Sequence, residues 1–268
     1  MPTLPKPDVE VLSQLIDDED GHYRLRIGRR VHYLTIPSGV YDDDTMCRPY
    51  LLIPALPALP DSSWTTMTVS RDENGSLVPT VSTNPLPEIR TAWHEQRVDV
   101  LSLGRRKRFR SGVHEVEFNG APAIVKIACF EWDVPRIERE TWAYSVIARH
   151  RRQHPEEPPI APDFIAHVTE NGRIMGLLLQ KVDGEPACTD DLPDCEALVR
   201  RLHGLGLIHG DVNRYNFLVD RASEGAGARL VDFEHVEGFD DERARQELLS
   251  LPAELAEETG RGSTVLLQ

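Results

Sequence analysis

The sequence predicts an α+β protein, and three observations carry that reading. Short strand-forming runs with turn residues between them fill the first third. Residues 135–150 carry an apolar stripe at helical spacing. A polar loop, residues 209–216, stands between an amphipathic stretch and an apolar run. The chain has 268 residues, 40% hydrophobic and 28% charged, which suits a globular enzyme with a sizeable core. Its net charge of −14 and pI near 5.2 disfavour nonspecific binding to nucleic acid or to an anionic membrane. Cys47, Cys129, Cys188 and Cys195 form no C-x-x-C pair, so reduced thiols in a cytoplasmic protein are expected. Residues 1–7 lack the apolar core of a signal peptide, and the greasiest run, residues 51–60, contains three prolines.

Residues 1–95 read as a β-rich extension. Residues 22–36 form strands around a Gly28-Arg29-Arg30 turn, and residues 64–69 and 77–82 flank the hairpin signal Asn74-Gly75. Asp42, Asp43 and Asp44 read as a solvated turn or as a site for a cation or guanidinium. Pro85-Leu86-Pro87 marks a linker. Two strands follow at 98–103 and 113–118, and Asn119-Gly120 turns the chain into a third at 121–127. There Lys126 shares a face with Ile124. Between the first two strands, residues 104–112 are expected to be a loop with five basic side chains in six positions, 105–110.

Asp133 and Pro135 suit the start of the helix at 135–150. Ile137, Glu140, Tyr144 and Ile147 share one stripe, so Glu140 lies on the apolar face and needs a partner. Glu138 falls off the stripe and is expected to be exposed. Beyond a proline-rich loop at 154–162 come an apolar strand at 174–179 and an amphipathic helix at 193–203 that Gly204 and Gly206 end. One or two acidic helices, 240–250 and 252–258, complete the elements.

His209-Gly210-Asp211, then Asn216, then Val231-Asp232-Phe233 resembles the catalytic and metal-binding core of the protein-kinase-like fold, in the form found in atypical and small-molecule kinases. With residues 124–126 and 138–144 the chain also resembles the kinase-like proteins of filamentous fungi. The resemblance implies a two-lobed fold: an N-lobe and hinge at 96–182 and a shortened C-lobe at 183–268, behind the extension. It implies ATP and Mg2+ as cofactors. Lys126 would hold the nucleotide's phosphates and Glu140 would fix Lys126. Asp211 would orient the acceptor, Asn216 and Asp232 would ligate the metal, and Gln180 would stand at the hinge. His209 would brace the loop.

Departures from the pattern are as informative. The glycines of a phosphate-binding loop are mostly missing, and Arg105, Arg106 and Lys107 stand in their place as candidate phosphate contacts. Glu234 replaces the glycine that usually follows Phe233, and Arg214 sits inside the catalytic loop; both are candidate substrate contacts. Thirty-six residues follow Asp232, with no Ala-Pro-Glu sequence, so a small-molecule acceptor is expected rather than a protein. Two other functions fit the same cleft. One is a fungal tRNA-dependent arginine-containing cyclodipeptide synthase, with the basic run on tRNA phosphates and Glu140, Asp211, Asp232 or Glu234 on an arginyl guanidinium. The other is a non-catalytic pseudokinase.

Overall fold

The computed structural model describes residues 8–60, 64–221 and 227–260, so the reading of residues 1–7 falls outside it. Two compact units emerge: one ends at Pro87 and includes Cys129–Glu131, and the other comprises Glu88–Ala128 and the chain from Trp132. Among the described residues no helix is long and apolar enough to cross a membrane.

The first unit is a five-stranded sheet of β1 (Val9–Ile16), β2 (Asp20–Ile27), β3 (Arg30–Pro37), β4 (Thr66–Arg71) and β5 (Leu77–Ser82), in that order. Gly28, at φ +59°, makes the turn between β2 and β3, and Gly75 at φ +78° the one before β5. Tyr23, Leu25, Leu34, Ile36 and Trp64 form its core. Since β3 and β4 run parallel, the chain must cross over between them. Two short helices make that crossing, α1 (Asp43–Cys47) and α2 (Pro49–Ala55), within a region that is β-rich as expected. The three aspartates therefore start a helix. Asp42 accepts from the Thr45 amide at 2.8 Å, and Asp44 pairs with Arg48 one turn on.

A six-stranded sheet begins the second unit, in the order β6 (Arg97–Asp99), β10 (Phe164–Glu170), β11 (Arg173–Gln180), β9 (Ala121–Ile127), β8 (Val113–Phe118), β7 (Gly104–Arg110). The strand expected at 98–103 stops early. Asp99 accepts from the Leu101 amide at 2.8 Å and turns residues 100–102 into a 3₁₀ turn. The expected basic loop is instead β7, an edge strand joined to β8 by Ser111 and Gly112 alone. Charged side chains suit an edge strand because they discourage further pairing. Asn119 and Gly120, at φ +51° and +80°, give the tight turn expected between β8 and β9.

α3 (Val134–Gln153) packs on this sheet with Ile137, Glu140, Tyr144 and Ile147 buried. After β11 the chain enters the second lobe. Here β12 (Glu185–Pro186), β14 (Phe217–Val219) and β15 (Ala228–Leu230) form one small sheet, and β13 (Leu207–Ile208) with β16 (Glu237–Gly238) another. Two helices flank them, α4 (Leu192–Gly204) and α5 (Asp241–Leu255), the latter one continuous helix with Pro252 inside it. The second unit is thus the two-lobed arrangement the resemblance implies, with a short C-lobe and a β-rich extension before it.

The spacing of β9 and β11 positions Lys126, and Gly176 permits it. A Cβ at Gly176 would run into the Lys126 carbonyl oxygen, backbone that cannot rotate away. Gly176→Ala is therefore expected to lower unfolding stability by about 1–3 kcal/mol through overpacking, measured by urea denaturation. An unchanged midpoint would contradict the close approach.

Candidate active site

Lys126 comes from β9 because strand alternation turns it inward with Ile124, toward α3. It is 6% exposed. Its Nζ lies 2.8 and 3.0 Å from the two Glu140 oxygens and 2.6 Å from Asp232 Oδ1. Glu140, wholly buried on the α3 stripe, finds there the partner its position demanded, and also accepts from the Phe233 amide at 3.3 Å. Asp232 ends the apolar segment after β15 and adopts φ +69°, a left-handed conformation uncommon outside glycine. That turn aims its carboxylate back at Lys126.

The sequence reading gave Arg136 and Arg139 no role here and did not single out Arg110 from the basic run 105–110. Arg110, the last residue of β7, places Nη2 at 3.0 and 3.2 Å from the Asp232 oxygens and 2.6 Å from Glu234 Oε1. Arg136 Nη1 sits 3.1 Å from Glu234 Oε2, and Arg139 Nε donates to the Glu234 carbonyl at 2.9 Å. Burial works against the Lys126 charge, yet Asp232, Glu140 and Glu234 more than offset it and raise its pKa above the ordinary lysine value. Asp232 shows the mirror effect: burial would raise its carboxyl, but Lys126 and Arg110 hold it well below the usual range. Burial pushes the Glu140 carboxyl up, against the pull of Lys126 and with Asp232 adding to the push.

A second cluster is built on the loop after β13. Asn216 donates from Nδ2 to the Asp211 carbonyl at 2.8 Å and to its Oδ2 at 3.1 Å, so the amide oxygen is the group left for a cation. Asn213 also donates to Asp211 Oδ2, at 3.0 Å. His209 is fully buried and joins the two clusters. Its Nδ1 accepts from the Asp211 amide at 3.3 Å, and its Nε2 donates to the Val231 carbonyl at 3.1 Å. This is a bracing role, and it needs a neutral ring. Burial lowers its pKa accordingly, with Glu247 opposing. The Val231 amide adds a further tie, to the Asn216 carbonyl at 3.0 Å.

Gly210 is required by geometry. It has φ +82°, and a Cβ there would strike the His235 carbonyl oxygen. Its amide donates to Glu247 of α5 at 2.7 Å, and the His209 amide donates to the same carboxylate at 3.3 Å. Glu247 was also missed, though the sequence carried its signal. Ala244, Glu247, Leu251 and Leu255 form the buried stripe of α5, the same argument that singled out Glu140.

Beside Lys126 opens a cleft of about 320 Å³, lined among others by Phe109, Ile124, Gln180, Tyr215 and Asp232. The other sequence-selected residues sit elsewhere or are committed. Gln180 reaches the cleft rim, but its Oε1 accepts from the Asp163 amide at 3.4 Å. On β7, Arg106 pairs with Glu117, Lys107 lies 5.1 Å over the Phe109 ring, and Arg105 is exposed. None of these three lines the cleft, since backbone pairing holds them along an exposed edge. Arg214 donates to the Glu257 carbonyl at 3.1 Å and lies over Tyr215. Glu138 is half-buried where exposure was expected, because it accepts from the Arg90 and Thr91 amides at 2.6 and 3.1 Å.

A model of the lipopolysaccharide kinase (Kdo/WaaP) family matches residues 185–251, the stretch that holds Asp211, Asn216, Asp232 and Glu247. Among solved structures, the kinase PK-1 of Cydia pomonella granulovirus is similar over 59% of this chain and 71% of its own, at 12% identity and a TM-score of 0.42. No curated protein matches the sequence. The second unit, with its element order and the loop held on α5, has a protein-kinase-like fold.

The neutral His209 ring gives the fold a pH dependence. Its folded pKa lies below the unfolded value near 6.5, so it contributes stability above about pH 6.5 that is lost as acid protonates the unfolded chain first. In urea unfolding between about pH 6.5 and pH 5, His209→Gln is expected to lose stability less steeply than wild type. The sign of this difference in slope is the readout. Parallel curves would contradict the neutral brace.

Proposed function

We propose that the protein transfers a phosphoryl group from ATP to a hydroxyl of a small-molecule acceptor, with magnesium as the cation. The observation that carries this reading is Lys126 held between Glu140 and Asp232 at 2.6–3.0 Å, tied through His209 and Val231 to Asp211 and Asn216. The match to a kinase family over residues 185–251 supports phosphotransfer on this scaffold.

The donor set suits the cofactors. Asp232 and the Asn216 amide oxygen are hard oxygen ligands of the kind Mg2+ prefers. Magnesium, when bound there, neutralises charge on the transferring phosphoryl group. Lys126, fixed by Glu140, is a point charge for the nucleotide's phosphates. Asp211 orients the acceptor hydroxyl and accepts its proton. A new phosphorus–oxygen bond forms to the acceptor, and the bond to the leaving nucleoside diphosphate breaks. Such transfer depends on alignment and electrostatics more than on a strong base, and the hydrogen bonds from Asn213 and Asn216 hold Asp211 in place. Only residues 234–240 separate Phe233 from α5, which leaves little chain to dock a peptide and favours a small acceptor.

One observation favours a second reading, a tRNA-dependent synthase of arginine-containing cyclodipeptides. Asp232 and Glu234 already grip a guanidinium, that of Arg110. Production of an arginine-containing dipeptide from charged tRNA, rather than of a phosphorylated compound, would select it.

Thermal unfolding with nucleotide tests the first reading. ATP with Mg2+ is expected to raise the melting temperature, with a gain of about 2.7 kcal/mol at a hundredfold excess over Kd. Asp232→Asn should remove the magnesium-dependent part, and Asp211→Ala should keep the shift but abolish transfer. No shift at millimolar nucleotide would contradict the reading.

A further inference from the structure

Two features set this chain apart from the kinase pattern, and the structure joins them in one ion pair. The first is the missing glycine loop. A two-residue turn, Ser111 and Gly112, joins β7 to β8 in place of a run of glycines whose amides could approach a phosphate chain. The second is Glu234 in place of glycine. Its side chain is buried, fixed from α3 by Arg136 at 3.1 Å and through its backbone carbonyl by Arg139 at 2.9 Å. Its Oε1 accepts from Arg110 Nη2 at 2.6 Å, and its Oε2, shared with Arg136, accepts from Arg110 Nη1 at 3.4 Å.

Arg110 is thereby held beside the cleft. Its neighbour Phe109 lines that cleft, and Asp232, which touches Lys126, also touches Arg110. The guanidinium is incompletely used: its Nε is buried and has no hydrogen-bond partner among the described residues. A planar fork with five donors can keep one edge on a carboxylate and offer the rest to an anion, which an ammonium group cannot do.

We infer that Arg110, anchored by Glu234, replaces the glycine loop as the group that binds the nucleotide's terminal phosphates. This rests on the phosphotransferase reading above. Glu234 keeps the guanidinium in place when Asp232 turns to a cation, so the two departures from the pattern are one device. It also reassigns the phosphate contact from Arg105, Arg106 and Lys107, which lie along the exposed edge, to the one basic residue of β7 that reaches the carboxylates of the site.

Calorimetric titration of the full chain with MgATP and, separately, with adenosine tests this. Arg110→Ala is expected to weaken MgATP binding about 10- to 100-fold, as for loss of a charge-assisted hydrogen bond, and to leave adenosine affinity within about twofold. Arg110→Lys should not restore the affinity. Glu234→Gln should weaken MgATP binding in the wild-type background and have no further effect beside Arg110→Ala. Unchanged MgATP affinity in Arg110→Ala overturns the inference alone. Tighter binding also overturns it, since the guanidinium would then compete with the cation. Loss of adenosine affinity as well assigns Arg110 a structural role and overturns it too. A wild-type protein that binds neither ligand overturns the phosphotransferase reading and this inference with it.

Discussion

A lysine buried between two carboxylates is the constraint on which the second unit depends. Lys126, Glu140 and Asp232 come from β9, α3 and the segment after β15, so their contacts fasten sheet, helix and C-lobe together. Such groups are costly to remove from water, and breaking the pair would strand a buried charge at about 3–5 kcal/mol. The site meets this cost by near balance: three carboxylates, Glu140, Asp232 and Glu234, face three cations, Lys126, Arg110 and Arg136. On the proposed function, a cation or a phosphate would take over some of these contacts.

Position in the second lobe is set by a different device. Two backbone amides of the loop after β13 end on Glu247, a carboxylate on the buried face of α5, and the imidazole of His209 holds the loop to the segment before Asp232. The loop is thus fixed by backbone amides and by the His209 ring, while the Asp211 and Asn216 side chains bond to each other. Gly210 belongs to this device, because any larger residue would meet the His235 carbonyl.

What the sequence disclosed follows from which signals are local. Helical spacing put Glu140 on an apolar face, and an unpaired carboxylate there is so unfavourable that a basic partner could be demanded. Hairpin turns at Gly28, Asn74-Gly75 and Asn119-Gly120 were legible because positive φ restricts the residues that can fill them. Strand β7 was hidden: five basic residues read as a loop, and two irregularities in its pairing with β8 blur the alternation. Arg110 could not be separated from its neighbours, since its partners lie more than a hundred residues away in the chain. The helices α1 and α2 were hidden by prolines and by aspartates that also suit a turn. Glu247 was within reach of the argument used for Glu140.

Whether this cleft moves a phosphoryl group can be read by mass spectrometry of a small-molecule extract incubated with the protein, ATP and Mg2+. At least one compound is expected to gain the mass of a phosphate with the wild-type protein and not with Asp211→Ala. A product of dipeptide mass, or identical profiles from the two proteins, would contradict it.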